Sequence, residues 1–165
     1  MISHKEQSMV LDTNFLIKFN EWLPQKLYPD FWQQLEDSLI AGKWLLLDVV
    51  VKEVHGKKSP LCRWLKRQSD NNRVSIVSDE EKIRGMVINN SYQVMDDVSR
   101  KSETDLYIIS YAEKNKLAVV TYERKKNPDE LLNKIPDVCD KMRIKCFRRP
   151  LQFYERIGLS KVADG

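Results

Sequence analysis

The feature that most constrains this chain is an alternation of strand-like and helix-like stretches. Four short apolar runs, residues 9–11 (MVL), 44–48 (WLLLD), 117–121 (LAVVT) and 144–147 (IKCF), are separated by segments in which apolar residues recur at helical spacing. In residues 30–43 (DFWQQLEDSLIAGK), Phe31, Leu35 and Leu39 share one helix face and Gly42 supplies the stop. Residues 49–57 (VVVKEVHGK) begin a helix despite their β-branched side chains, and Pro60 opens another with Leu61, Trp64 and Leu65 on one face. A helix is expected over 79–90, starting after Ser78, and a strong one over 102–116, with Leu106, Ile109 and Ala112 facing inward. Residues 74–79 (VSIVSD) read as a short strand or an extended loop, and 151–158 (LQFYERIG) as a closing helix begun by Pro150.

Strands interleaved with helices predict an α/β fold: a three-layer sandwich around a central parallel sheet of four to five strands, joined by right-handed crossovers. The 165 residues suffice for one domain with its own core, and no repeat or Gly/Pro/Ser-rich linker divides them. That domain is expected over 8–157, with the polar ends, 1–7 and 158–165, flexible. In such sheets function gathers outside the carboxyl ends of the strands.

The first apolar run ends there on an acid. Asp12 closes MVL, Thr13 and Asn14 follow, and Phe15, Leu16 and Phe19 then form one face of a short helix. Asp, Thr and Asn all suit a helix cap, so the position has a structural reading. It also has a functional one, as a metal or phosphate site at the sheet edge. Three further acids stand at comparable places: Glu53 just past the second run, Asp105 opening the helix before the third, and Glu123 just beyond it. Each has a local explanation. Glu53 can pair with Lys57 one turn on, Asp105 can belong to a capping arrangement begun by Ser102, and Glu123 can be balanced by Arg124 and Lys125.

As a set they imply more. A parallel sheet built in this order can bring all four to one edge, where they would repel and raise one another's pKa unless a cation joined them. The matching partner is a hard ion with oxygen ligands, Mg²⁺ or Mn²⁺, and such an ion can activate water against a phosphodiester. Asp48, Asp96, Asp97 and Asp137 are reserves: Asp96 and Asp97 read as solvated loop residues, and Asp137, after Pro136, as the start of a helix.

Composition excludes several other classes. Lys and Arg exceed Asp and Glu by 28 to 24, a net +4 that permits contact with nucleic acid without requiring it. Cys62, Cys139 and Cys146 are odd in number and lack CxxC spacing, so they read as reduced residues of a cytoplasmic protein. Two histidines, His4 and His55, argue against a His-rich zinc site. The longest apolar stretch, 44–51, is broken by Asp48 and too short for a bilayer, and no charged-then-apolar leader opens the chain. Neither G-x-G-x-x-G nor G-x-x-x-x-G-K-[ST] occurs.

The ordered set D-T-N-F (12–15), V-V-V-K-E-V (49–54), E-T-D-L-Y-I-I-S-Y-A (103–112) and V-V-T-Y-E (119–123) resembles the PIN-domain nucleases, over roughly residues 8–150. Those proteins carry an acid at each of the four places and cleave single-stranded RNA using Mg²⁺ or Mn²⁺. The segment K-I-P-D-V-C (134–139) looks like a bacterial PIN-like subgroup of unassigned function. The resemblance implies a PIN-like sandwich in which Asp12, Glu53 and Asp105 are the main metal ligands and catalytic acids. Glu123 takes the fourth place, where the family more often has Asp; its longer side chain suits contact through water. Asn14 and Thr121 match polar positions that orient the acids. The most frequent biology of such proteins is the toxin of a bacterial toxin–antitoxin pair, which implies an RNA substrate, a small antitoxin protein as inhibitor and, commonly, a homodimer.

Cations flanking an acidic edge are needed to hold phosphates. Arg124, Lys125 and Lys126 follow Glu123 directly; Arg63, Lys66 and Arg67 lie beyond Lys57 and Lys58; Arg148 and Arg149 follow the last run. Tyr122 and Trp64 are candidates for stacking on bases, with core packing the stronger expectation for Trp64. Two other readings stay open: a PIN-like module that binds RNA or a partner without cutting, and a phosphotransferase or phosphatase with Asp12 as nucleophile. The second of these would want Asp in a D-x-D motif where this chain has Asn14.

Overall fold

A computed structural model describes residues 7–56 and 58–148. Five strands form one parallel sheet in the order β3-β2-β1-β4-β5: β1 (Met9–Leu11), β2 (Trp44–Leu47), β3 (Val74–Ser75), β4 (Ala118–Val120) and β5 (Cys146–Phe147). Seven helices among the described residues flank it as a three-layer sandwich: α1 (Thr13–Trp22), α2 (Pro29–Ile40), α3 (Asp48–Val54), α4 (Pro60–Asp70), α5 (Asp79–Tyr92), α6 (Glu103–Asn115) and α7 (Ile135–Met142). No helix among the described residues is long and apolar enough to cross a membrane.

The apolar runs are buried because the central strands are covered on both faces. Met9, Val10, Leu11, Ala118, Val119 and Val120 are all buried. The strands are shorter than the runs that encode them. Asp48 leaves β2 and opens α3, because its Oδ1 accepts the Val77 N–H at 3.0 Å beyond β3. The stretch 74–79 contributes only a two-residue strand before Ser78 caps α5. The closing helix expected over 151–158, both chain ends, His4, Lys57 and Arg149 lie outside the described residues.

An aromatic cluster fills one part of the core. Phe19 stacks on Phe15 at 5.7 Å and meets Trp32 edge-on at 5.0 Å, and Trp32 meets Trp64 edge-on at 5.2 Å. The Trp32 indole N–H is satisfied by the Leu23 carbonyl at 2.6 Å. Trp64 is only 1% exposed, so core packing is its role and it is not available to a base. Elsewhere α5 and α6 pack closely at Gly85, where an added Cβ would stand 3.2 Å from the Tyr107 ring and 3.3 Å from the Leu106 carbonyl oxygen. All three cysteines are free thiols.

The topology positions the site. From β1 the chain runs outward through β2 to β3, then returns to the other side of β1 for β4 and β5. The order therefore reverses at β1/β4, and ligands of open parallel sheets bind outside the carboxyl ends of the strands at such a switch point.

Candidate functional site

Register brings the first two polar groups together. Leu11 pairs with Val120, so the next residues, Asp12 and the Thr121 after β4, leave the sheet side by side. The Thr121 hydroxyl donates to Asp12 Oδ2 at 2.7 Å and accepts the Glu123 N–H at 3.0 Å. Asn14 secures the same turn, its Oδ1 accepting the Tyr122 N–H at 2.9 Å with the Thr121 hydroxyl 3.3 Å away. Asp12 occupies the N-cap position of α1, yet its side chain makes no capping bond. The cap explanation for this residue therefore fails, and its carboxylate is directed to Thr121.

The other acids arrive from three elements. Glu53, exposed in the last turn of α3, accepts from the Thr13 hydroxyl at 2.7 Å. Asp105 sits half-buried in the first turn of α6. Glu123 lies half-buried in the long loop after β4, where its Oε2 accepts the Ile135 N–H at 3.2 Å at the start of α7. That contact places the fourth carboxylate at the positive end of a helix.

The acids act on one another. Burial raises Asp12, 2% exposed, from an ordinary 3.8 to about 7; the Thr121 hydroxyl opposes that rise, and the charges of Glu123 and Glu53 add to it. Asp105 is held well above the usual carboxylate range by burial and then by the charges of Asp12, Glu123 and Glu53. Burial also raises Glu123, with the Ile135 N–H and the Lys134 charge pulling it back. The four sequence-predicted acids thus share the carboxyl edge as repelling neighbours. They do not form a finished cage: no three His, Cys, Asp or Glu side chains among the described residues are grouped so as to hold a metal ion.

Thr13 was passed over in the sequence because D-T-N reads as cap chemistry; its hydroxyl supports Glu53. Asp137 was a reserve and proves structural. It opens α7 and its Oδ2 accepts the N–H groups of Lys126 at 3.0 Å and Lys134 at 2.9 Å, pinning both ends of the loop. Asp96 accepts the Val98 N–H at 2.9 Å, and both it and Asp97 are exposed loop residues as expected.

The flanking cations are partly engaged. Arg124 pairs with Glu130 at 2.5 Å and Lys125 with Asp140 at 3.2 Å, while Lys126 is half-buried. On α4, Arg63, Lys66 and Arg67 are exposed, with Lys66 paired to Asp70 at 3.0 Å. Tyr122 stacks on Phe15 at 5.3 Å and meets Trp22 edge-on at 5.4 Å, so aromatic neighbours occupy much of its ring.

No curated protein matches this chain. A family model described as a domain of unknown function, DUF4411, matches residues 9–159. That stretch holds the whole described sheet and all four acids, and the chain belongs to this DUF4411 family.

Proposed function

We propose that this protein is a PIN-like endoribonuclease that hydrolyses RNA phosphodiesters with Mg²⁺ or Mn²⁺. The observation that carries the reading is Asp12: a buried carboxyl raised to about 7 at the end of the central strand, with three more acids acting on the same space. A globular protein keeps such a costly group for a reason, and strongly perturbed carboxyls cluster at functional sites.

The donor set fits a hard divalent ion. It offers carboxylate oxygens from Asp12, Glu53 and Asp105, the first two held by the Thr121 and Thr13 hydroxyls, without sulfur or imidazole, which is the chemistry Mg²⁺ and Mn²⁺ prefer. When bound, the ion supplies a more acidic water and charge stabilisation at the leaving oxygen. The chain's own residues do the positioning. Thr121 fixes the Asp12 carboxylate, Thr13 fixes Glu53, and the Ile135 N–H holds Glu123, whose longer side chain would act through a bound water. Arg124, Lys125 and Lys126 on the Glu123 loop, with Arg63, Lys66 and Arg67 on α4, receive the RNA backbone, their exposed ion pairs being weak enough to exchange for phosphates. The resemblance extends the proposal to a cytoplasmic toxin of a toxin–antitoxin pair, inhibited by a small antitoxin protein and able to form a homodimer.

A second reading, an RNA-binding or partner-binding module that does not cut, is favoured by two observations. Glu123 is already bonded to Ile135, and no three acids stand in a ready-made cage. The deciding experiment incubates single-stranded RNA with the protein in Mn²⁺, Mg²⁺ or EDTA, beside Asp12→Asn. Metal-dependent cleavage that Asp12→Asn abolishes is the expected result; RNA retained intact by the wild type assigns the binding module instead.

A further inference from the structure

Beside the acids the surface opens into a cleft of about 450 Å³, within the size range of small-ligand sites. Asp105 and Glu123 line part of it, with Ser102, whose hydroxyl bonds Asp105. Glu130 and Lys134 line it too, and the uncharged Val94, Leu131, Leu132 and Asn133 complete the wall. Among the described residues Lys134 is the one cation in that wall, which includes none of Arg124, Lys125 or Lys126.

Lys134 is fixed at its root and loose at its tip. Its backbone N–H donates to Asp137 Oδ2 at 2.9 Å, and the next N–H, of Ile135, donates to Glu123 Oε2 at 3.2 Å. The side chain therefore starts one residue from the bond that holds the Glu123 carboxylate, and its charge acts on that carboxyl. The ammonium end is different. The side chain is 33% exposed, and its nitrogen meets Glu130 Oε2 only at 3.9 Å, the outer limit of an ion pair. The other oxygen of Glu130 takes Arg124 at 2.5 Å. One carboxylate thus stands between two cations at the cleft, in the place an incoming phosphate would take.

We propose that this cleft is a phosphate subsite, in which Lys134 holds an oxygen of the RNA backbone beside Glu123 once Glu130 has given way. The inference rests on reading the acids as an RNA-cleaving centre and adds the cation that lets a phosphate approach them. Four ionised carboxylates outweigh one divalent ion, and a phosphodiester adds to the surplus. A cation in the same cleft offsets that repulsion at short range, where it is strongest. In the free protein Glu130 occupies the ammonium, so the lysine is held ready without being buried or firmly bonded. A contact of this kind carries no base preference, because phosphates are alike along the strand.

The test reads the salt dependence of RNA binding. A labelled single-stranded RNA of mixed sequence is bound to the full chain in Ca²⁺, a hard ion that also takes oxygen ligands, over roughly 50 to 200 mM KCl. Cleavage is followed separately in Mn²⁺. Lys134→Gln is expected to weaken binding roughly tenfold and to make the slope of log K against log salt shallower by about 0.7, one phosphate contact on a single strand. Lys134→Arg keeps the charge and should keep the wild-type slope. A lysine that only supports the loop would change affinity and leave the slope alone; that result, or a slope that Lys134→Arg does not preserve, overturns the subsite. Glu130→Gln removes the competing carboxylate and should tighten binding a few-fold, the opposite of what loss of folding would do, so it serves where Lys134→Gln does not fold. Unchanged or weaker binding in Glu130→Gln counts against the subsite. Cleavage in Mn²⁺ with an unaltered slope in Lys134→Gln overturns the subsite and leaves the nuclease standing. A slope change without cleavage overturns the nuclease and leaves the subsite, and absence of RNA binding overturns both.

Discussion

The Asp12 carboxyl binds its proton more tightly folded than unfolded, about 7 against 3.8, because burial penalises the charge. Between those values the folded protein carries a proton the unfolded chain lacks, so the contribution of Asp12 to stability is full below pH 4 and is lost as pH rises through 7. The gap corresponds to a loss on the order of 4 kcal/mol once Asp12 is ionised. Asp105 acts in the same direction. Urea unfolding in EDTA is therefore expected to show the wild type less stable at pH 8 than at pH 5, and Asp12→Asn should shrink that difference; an undiminished difference would place the titration elsewhere. Thr121→Val keeps the shape but removes the hydroxyl that holds Asp12 and receives the Glu123 N–H, so cleavage should drop about 10–100-fold with little loss of RNA binding. The positions of these residues were legible in the sequence as acids and polar partners at strand ends. Their bonds were not. The Thr13–Glu53 contact spans 40 residues and exists only because α1 and α3 leave neighbouring strands of one sheet edge.

Elements carry a different kind of information, because their ends are decided by local chemistry that a sequence displays. Ser78 followed by Glu81 is a capping box, and both reciprocal bonds form at the start of α5. Ser78→Ala should cost about 1 kcal/mol, read as a lower urea midpoint with unchanged slope. Gly85 is different: the pattern of α5 gives no reason for a glycine in its interior. The reason is tertiary, since α6 approaches to 3.2 Å of where a Cβ would stand, so Gly85→Val is expected to destabilise by roughly 1–3 kcal/mol despite its better backbone entropy. The strands were legible as apolar runs but came out shorter. Ladder pairing stops where the chain turns to present its polar groups, as at Asp48 and Thr121. The loop from Glu123 to Lys134 was the least legible segment, being organised from outside itself, by Asp137 in α7 and by the Gln93 carbonyl at the end of α5, which accepts the Asn133 N–H.

At the scale of the whole molecule, alternation of strands and helices was enough to give the α/β class and the parallel sheet. It was not enough to give the order β3-β2-β1-β4-β5, which depends on the chain doubling back past β1. That return gives the acids a common edge, because it sets β1 between β2 and β4 and delivers Asp12, Glu53, Asp105 and Glu123 from four separate stretches of chain. A site assembled this way is stabilised by whatever neutralises it. A divalent ion that binds only the folded protein, present at about a hundredfold over its Kd, adds about 2.7 kcal/mol, a melting shift of roughly 5–10 °C for a domain of this size. Protons compete for the same oxygens, so the shift produced by saturating Mn²⁺ or Mg²⁺ should be larger at pH 8 than at pH 6 and should vanish in Asp12→Asn. A shift that is absent in the wild type, or equal in Asp12→Asn, would count against an ion at this edge and against the hydrolytic role proposed for the acids.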